Sequence, residues 1–215
     1  MTVYWVLLLI TAFLAYLIGS LRSTVIAANF IFHRSFARMG HGGAWLFNFR
    51  RLYGVKGFIK LALVEIVKDL LPILVGGWLL GIKDHALVGR AFAGFCLVMG
   101  GLYPVFYGFR GGHGAIYLVM AALCVDLSLG IAAGAVMAAV TWFSRYVSLG
   151  TVAGALTYIG AAVLVLDDRL TILLCVFTAL LVILKHIPAM LRLAVGREEK
   201  FVLKEDITYK FDEQF

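Results

Sequence analysis

The chain is dominated by apolar runs that are long enough to cross a lipid bilayer. They occupy residues 3–32, interrupted only at residues 19–22, and residues 58–81, 86–107, 115–143, 147–166 and 170–187. About 20 apolar residues in a helix span the roughly 30 Å hydrocarbon core of a membrane. Only 14% of the 215 residues are charged, whereas about 25% are charged in a soluble domain. The sequence therefore predicts an all-α polytopic integral membrane protein and excludes a soluble globular domain.

The run at 115–143 does not fit a single crossing. Its 29 residues would make a helix of about 44 Å, longer than the hydrocarbon core. We expect it to turn back on itself near 125–130. The chain then has about seven helical segments, some short or re-entrant.

The distribution of basic residues predicts the orientation. With that turn, residues 33–57, 108–114, 144–148 and 189–215 share one side and hold twelve lysines and arginines. The opposite loops hold two, Lys83 and Arg169. Because basic loops stay in the cytoplasm, we expect a multi-pass membrane protein with a definite orientation. Its N-terminus lies outside and its C-terminus lies in the cytoplasm.

The distribution of apolar runs and charges predicts two regions of unequal length. Residues 1–188 are predicted to form a seven-helix membrane domain, and residues 189–215 a cytoplasmic charged tail. The net charge of +7 reflects topology and contact with membrane lipids, not nucleic acid, because the basic residues lie in short loops. The tail could dock a protein partner or lie free in solution.

A glycine-rich stretch at 108–114 follows the third apolar run. Glycines let a backbone approach a ligand closely and direct N–H groups at it, and the next helix adds a positive N-terminus. The stretch predicts a cradle for an oxyanion or phosphate, the alternative being a simple turn between helices. The substrate contacts expected here are Arg110, Gly111, Gly112 and Gly114, with His113 as a catalytic candidate.

Three further places add to this candidate site. A second glycine cluster at 40–43 precedes two polar residues, Ser148 begins a later apolar run, and a histidine ends the last one. If the loops converge, arginine binds phosphate bidentately and histidine accepts a proton. The additional substrate-binding candidates are Gly40, Gly42, Asn48, Arg51, Ser148 and Thr151, and the additional catalytic candidates are His41 and His186.

Several charges lie inside the apolar runs. They are Arg22, Glu65, Lys68, Asp69 and Arg90. Charges in a membrane normally pair or face a polar cavity, and Glu65 and Lys68 are spaced to pair along one helix face. The cluster predicts a structural ion network, the alternatives being a catalytic role or an ion pathway.

These motifs, in this order, resemble the bacterial acyl-phosphate:glycerol-3-phosphate acyltransferases (PlsY-type) over roughly residues 4–199. The similarity is carried by 104–114, 145–149, 15–20 and the closing stretch from Lys185 to Glu198. The resemblance implies a seven-helix fold in the bacterial inner membrane, with a cytoplasmic active site. It also implies acyl transfer from acyl phosphate to the sn-1 hydroxyl of glycerol 3-phosphate in phospholipid synthesis, without a metal or cofactor.

The chain departs from the family pattern at several site positions. Gly101 replaces a histidine, Arg110 and His113 replace lysines, His41 replaces a serine, Tyr117 replaces a threonine and Ala189 replaces an asparagine. We therefore expect an acyltransferase for glycerol 3-phosphate or a related hydroxyl acceptor, with Trp45, Phe47 and Tyr117 narrowing the acceptor pocket. The alternatives are an inactive relative that binds lipid or serves as a partner subunit, and a transporter, which the lack of an inverted repeat disfavours.

Overall fold

The computed structural model describes residues 2–23, 45–198 and 200, and of residues 2 and 45–54 it describes the backbone alone. Within these residues the chain is all-helical, as predicted, with seven α-helices and one short 3-10 turn. The helices are α1 (Thr2–Gly19), α2 (Trp45–Gly81), α3 (Ala86–Leu102), α4 (Ala115–Val125), α5 (Leu127–Ser144), α6 (Val147–Val165) and α7 (Arg169–Ala194), and the 3-10 turn is Val105–Tyr107.

Four segments in the described part of the chain are long and apolar enough to cross a membrane. They are Ala86–Tyr107, Leu127–Ser144, Val147–Val165 and Arg169–Ala194. The apolar helices Val3–Gly19 and Ala115–Val125 are shorter. The bounds of the third, fifth and sixth predicted spans therefore agree with the structure to within a few residues, except that α7 continues beyond Ile187.

The expected break in the 115–143 run is confirmed at Asp126. This residue has extended backbone angles between α4 and α5, and its carboxylate accepts a hydrogen bond from the Ser128 amide at 2.8 Å. An aspartate at the N-cap satisfies an amide that the helix leaves without a partner. The first half is short, as predicted, at 11 residues, whereas α5 has 18 residues and is longer than expected.

The first predicted span is interrupted at the expected place, and the predicted start of the second helix was wrong. The first run was expected to form one span over residues 3–32, interrupted only at residues 19–22. Helix α1 ends at Gly19, where the amides of Ser20 and Leu21 donate hydrogen bonds to the carbonyl oxygens of Tyr16 and Ile18, and residues 24–44 lie outside the described part of the chain. Residues 33–57 were expected to be a loop, yet α2 already begins at Trp45. Residues 45–57 mix apolar and charged side chains, so hydropathy does not reveal this part of the helix.

The chain divides into two compact units. One comprises Met1–Leu21 and Asp69–Phe201, and the other Arg22–Lys68 and Val202–Phe215. In the second, Lys68 Nζ lies 3.4 Å from Glu65 Oε1, which confirms the predicted pairing of these residues. The first contains the site described below.

Small residues let helices of the first unit approach closely. A Cβ at Gly100 would overlap the carbonyl oxygen of Tyr16 in α1, and one at Gly19 would overlap the backbone of Leu97 in α3. In α6, a Cβ at Gly154 would lie 2.9 Å from the carbonyl oxygen of Ala133 in α5. Such contacts are typical of helices that pack in a bilayer, where van der Waals contact replaces the hydrophobic effect. This packing fixes the end of α3, from which the site loop emerges.

Candidate functional site

The loop between α3 and α4 is a compact turn. After Tyr103, the 3-10 turn leads to Gly108 and Phe109, both with φ of 60°. The Gly112 amide then donates to the carbonyl oxygen of Gly101 at 3.1 Å, so the loop folds back onto the end of α3. This contact holds the predicted cradle, residues 108–114, against the helix that precedes it.

Two of the cradle's glycines are required by its geometry. A Cβ at Gly111 would lie 2.5 Å from the carbonyl oxygen of Leu102, a distance too short for any side chain. Gly114 has a φ of +83° and occupies the N-cap of α4 without a side-chain cap. Only glycine adopts that conformation without strain. The first amides of α4, which follow Gly114, therefore have no side-chain cap.

The structure brings two of the predicted catalytic histidines together. The rings of His113, in the loop, and His186, in α7, have centroids 5.6 Å apart and are tilted by 53°. They are 73 positions apart in the sequence, and the convergence of loop and helix places them side by side. His186 is 1% exposed, whereas His113 is half-buried.

The tautomer of His186 follows from its surroundings. Its Nδ1 lies 2.8 Å from the carbonyl oxygen of Val182. A carbonyl only accepts hydrogen bonds, so Nδ1 carries the proton in the neutral ring and Nε2 keeps its lone pair. Nε2 is therefore the ring atom of His186 that can accept a proton.

Glu198 joins three parts of the chain next to these histidines. Its Oε1 accepts a hydrogen bond from Ser148 Oγ in α6 at 3.0 Å, and its Oε2 pairs with Arg192 Nε in α7 at 2.9 Å. Arg192 is about half exposed, with a side-chain exposure of 52%, so this ion pair alone contributes little stability. The buried hydroxyl of Ser148 is nevertheless fixed in place by the carboxylate.

These charges set the protonation state of His113. Burial lowers its pKa below the usual value, and the positive charges of Lys185 and Arg192 lower it further. The carboxylate of Glu198 acts in the opposite direction and raises the pKa. His113 is therefore neutral at pH 7, since an ordinary histidine has a pKa of about 6.5.

Lys185 anchors the end of α3. Its Nζ donates to the carbonyl oxygen of Leu102 at 3.2 Å and lies 4.6 Å from the centroid of the Tyr103 ring. Tyr16 Oη donates to the carbonyl oxygen of Tyr103 at 2.8 Å. Together these contacts connect α1 and α7 to the residues from which the loop begins.

One pair of departures from the family pattern is explained by a single packing exchange. A Cβ at Gly101 would lie 2.6 Å from Cδ2 and 2.8 Å from Cζ of Tyr117. Tyr117 is 8% exposed and belongs to the main apolar core. The aromatic ring in α4 thus occupies the space beside Gly101, where a larger residue in α3 would need to go.

The remaining predicted site residues lie in several places. Asn48 and Arg51 are in the first turns of α2, where the structure describes the backbone alone, and Arg110 is an exposed residue of the loop. Thr151 is buried, and its hydroxyl donates to the carbonyl oxygen of Val147 at 2.9 Å, within its own helix. Gly40, His41 and Gly42 fall outside the described residues, so their convergence with the loop stays a prediction.

Sequence reasoning did not include Lys185, Arg192 and Glu198 among the site residues. All three lie in the closing stretch that carries the family resemblance, and that position was the available signal. Lys185 contacts a residue 83 positions away, Arg192 one that is 6 positions away, and Glu198 one that is 50 positions away. The longest of these pairings could not be read from spacing.

Comparisons with known proteins agree on one family. A family profile described as Glycerol-3-phosphate acyltransferase matches residues 9–196. A glycerol-3-phosphate acyltransferase of Thermoanaerobacter sp. is 29% identical over 198 residues, which are 92% of this chain and 98% of that relative. The protein of the same name from Pseudomonas paraeruginosa is 36% identical over 137 residues, 63% of this chain and 67% of its own length.

A solved structure also matches. The crystal structure of PlsY (YgiH), an integral membrane glycerol 3-phosphate acyltransferase, in its glycerol 3-phosphate form, superposes with a TM-score of 0.74 at 25% identity. The match covers 91% of this chain and 96% of that protein. The helical architecture described above is therefore that of a known integral membrane protein.

Proposed function

Because the chain belongs to the glycerol-3-phosphate acyltransferase family, we propose that it transfers a fatty acyl group from acyl phosphate to glycerol 3-phosphate. It is a membrane acyltransferase of phospholipid synthesis. The observation that carries the proposal is the convergence of His113, His186 and the Ser148–Glu198 pair beside the glycine loop. These groups supply the base and the hydrogen-bond donors that acyl transfer requires.

In the proposed reaction the sn-1 hydroxyl oxygen of glycerol 3-phosphate attacks the acyl carbonyl carbon. A new ester C–O bond forms, the bond between that carbon and the phosphate oxygen breaks, and inorganic phosphate leaves. The hydroxyl proton passes to a base, and phosphate needs little acid assistance as a leaving group. General base catalysis of this kind is worth about 10²- to 10⁴-fold in rate.

His186 is the base that the geometry supports best. Its Nδ1–H is engaged by Val182, which leaves Nε2 to receive the proton of the attacking hydroxyl. His113, neutral at pH 7, lies beside it and is close enough to orient the same hydroxyl or take up the proton in a second step. Both residues are thus assigned catalytic roles, with His41 kept as a further candidate.

The negative charge of the substrates is proposed to lie over the glycine loop. The first amides of α4 and the exposed Arg110 form one face of this anion site. We propose Asn48 and Arg51, together with Gly40 and Gly42, as contacts to the phosphate of the acceptor. The guanidinium of Arg51 can bind phosphate bidentately, which a lysine cannot.

The enzyme is proposed to face the cytoplasm. With the N-terminus outside, α3 and α7 end on the same side as the loop, where the basic residues concentrate. Acyl phosphate reaches this face from the membrane and glycerol 3-phosphate from solution. A protein partner at the charged tail remains a proposal of its own.

The experiment is a turnover assay on the purified full-length protein. Palmitoyl phosphate is supplied with glycerol 3-phosphate or with a panel of other alcohols, and released phosphate is compared with acylated product. We expect one phosphate per lysophosphatidic acid, with glycerol 3-phosphate as the best acceptor. Turnover only with another alcohol would correct the acceptor, and no turnover with any of them would favour the inactive alternative.

A further inference from the structure

A groove lies at the other end of α3, between its first turns and the last turns of α2. It has a volume of about 500 Å³ and is lined by apolar side chains that include Leu74, Trp78 and Ile82. One charged residue, Arg90, contributes to the lining. We call this the Arg90 groove. It lies 11 residues of α3 away from Gly101, or about 16 Å, and plays no part in the acyl transfer proposed above.

The guanidinium of Arg90 has unused hydrogen-bonding capacity. Its single hydrogen bond within the part of the chain that the structure describes is a long one, 3.5 Å from Nη1 to the carbonyl oxygen of Cys124. No described carboxylate lies within ion-pair distance of it. A guanidinium carries five N–H donors in a planar fork, and a half-buried arginine with so few partners is costly in a membrane. An anion would satisfy the remaining donors.

Gly77 fixes the direction of the arginine. A Cβ at this position would lie 2.7 Å from Arg90 Cγ and 3.2 Å from Nε. The stem of Arg90 therefore lies flat against α2, and its charged end is held at the groove. Gly77 thus leaves room for the stem of Arg90, which explains a glycine at a helix position that glycine propensity does not favour.

The position of the groove near the start of α3 suits the binding of a lipid headgroup. Arg90 lies four residues from the start of α3, about 6 Å along the helix. Trp78, 69% exposed, is the type of side chain that lies at the membrane interface. The neighbouring turn adds the exposed Lys83, and basic residues near a membrane surface attract anionic lipids.

We propose that the Arg90 groove binds an anionic phospholipid, with the phosphate held by the guanidinium of Arg90 and an acyl chain lying along Leu74, Trp78 and Ile82. The apolar lining favours a lipid over free phosphate, which has nothing to gain from such a surface. The positive charge in the groove favours an anionic lipid over a zwitterionic one. This site is distinct from the substrate site and does not depend on the proposed function.

The test measures lipid retention by the full-length protein in neutral detergent. Palmitoyloleoyl phosphatidylglycerol or phosphatidylcholine is titrated in, and bound lipid is counted by native mass spectrometry while thermal unfolding is followed in parallel. We expect preferential retention of phosphatidylglycerol. Arg90→Gln should weaken it about tenfold, the size expected for a lost charged hydrogen bond. Gly77→Ala should weaken it in the same direction.

Two matched controls make the result specific. Arg169→Gln removes an equal charge from the exposed first residue of α7, and Gly160→Ala adds a methyl group where nothing lies within 4 Å. Both should retain phosphatidylglycerol as the wild type does. Arg90→Lys keeps the charge without the fork and should retain an intermediate amount.

Several outcomes would overturn the proposal. Equal losses in Arg90→Gln and Arg169→Gln would show that only overall charge matters. Loss of thermal stability in Arg90→Gln with unchanged lipid retention would make Arg90 a structural cap of the Cys124 carbonyl. An equal stabilisation by inorganic phosphate would assign the site to a free anion.

Discussion

At the scale of single residues, the candidate site depends on how its charges set the state of His113. Glu198 raises the pKa of this histidine, while burial and two cations lower it. The same carboxylate binds Ser148 and Arg192. One side chain therefore couples the protonation of His113, a proposed catalytic residue, to the contact between α6 and α7.

Glu198→Gln should move the acid limb of the pH–rate profile to lower pH. The substitution removes the negative charge that raises the pKa of His113, so the pKa falls further and the neutral ring persists into more acidic solution. The amide still bonds Ser148, which limits the structural change. The measurement is kcat/KM against pH with glycerol 3-phosphate and palmitoyl phosphate.

The matched control is Asp167→Asn, which removes one negative charge from an exposed position between α6 and α7. Its acid limb should coincide with that of the wild type. A limb that moves to higher pH in Glu198→Gln, or does not move, would remove His113 from the titrating step.

The sequence predicted part of this site. His113 was predicted because it lies in the glycine-rich stretch, His186 because it lies at the end of the last apolar run, and Ser148 because its hydroxyl lies near a helix start. The structure brings the two histidines together. Glu198 was not among the predicted site residues, because nothing local in its sequence indicates that it reaches Ser148, 50 positions earlier. Contacts of that range depend on how α6 and α7 pack, which spacing along one helix does not determine.

At the scale of helices, the contact between α3 and α4 depends on an exchange of size. Gly101 leaves room for Tyr117, whose ring is buried in the core. In the family pattern the sizes are reversed, with a larger histidine at the position of Gly101 and a smaller threonine at the position of Tyr117. The distance between α3 and α4 therefore depends on both residues together and not on either one alone.

Gly101→Ala should lower the free energy of unfolding by about 1–3 kcal/mol, the usual cost of overpacking a filled core. In a Tyr117→Thr background the same change should cost much less, because the ring is gone. The measurement is thermal or denaturant unfolding in detergent, arranged as a double-mutant cycle.

Gly160→Ala is the control for that cycle. A Cβ there meets nothing within 4 Å, and replacing glycine by alanine inside a helix stabilises it by roughly 0.5–1 kcal/mol. Equal costs of Gly101→Ala in both backgrounds would mean that the two positions do not interact.

The helices differ in how well their ends could be predicted. The break at Asp126 was expected because an untilted helix of this length exceeds the bilayer core and a single crossing would place Arg145 and the basic tail outside. The aspartate beside Ser128 supplies the cap. The start of α2 at Trp45 was missed because its first turns carry arginines and polar residues. A hydropathy scan detects burial in lipid, whereas helix formation outside the lipid leaves no such signal.

At the scale of the whole molecule, seven described helices and the distribution of charge predict the topology. The N-terminus should lie outside and the C-terminus in the cytoplasm, with twelve basic residues on the inner side and two on the outer. A fluorescent protein fused to the C-terminus should therefore fluoresce, and alkaline phosphatase fused there should be inactive.

The control is a second phosphatase fusion that ends at Asp168, in the turn between α6 and α7. This turn should lie outside, so that fusion should be active. The opposite pattern of activities would invert the topology and place the glycine loop on the outer face, away from cytoplasmic glycerol 3-phosphate.

The most direct test of the site is the turnover number of His186→Gln measured beside His85→Gln. Glutamine keeps a donor for the Val182 carbonyl but cannot act as a base, whereas His85 lies in the turn before α3 and takes no part in the site. We predict that kcat falls about 10²- to 10⁴-fold in His186→Gln, with unchanged thermal unfolding, and is unchanged in His85→Gln. Full turnover in a folded His186→Gln protein would contradict the assignment of this histidine as the base.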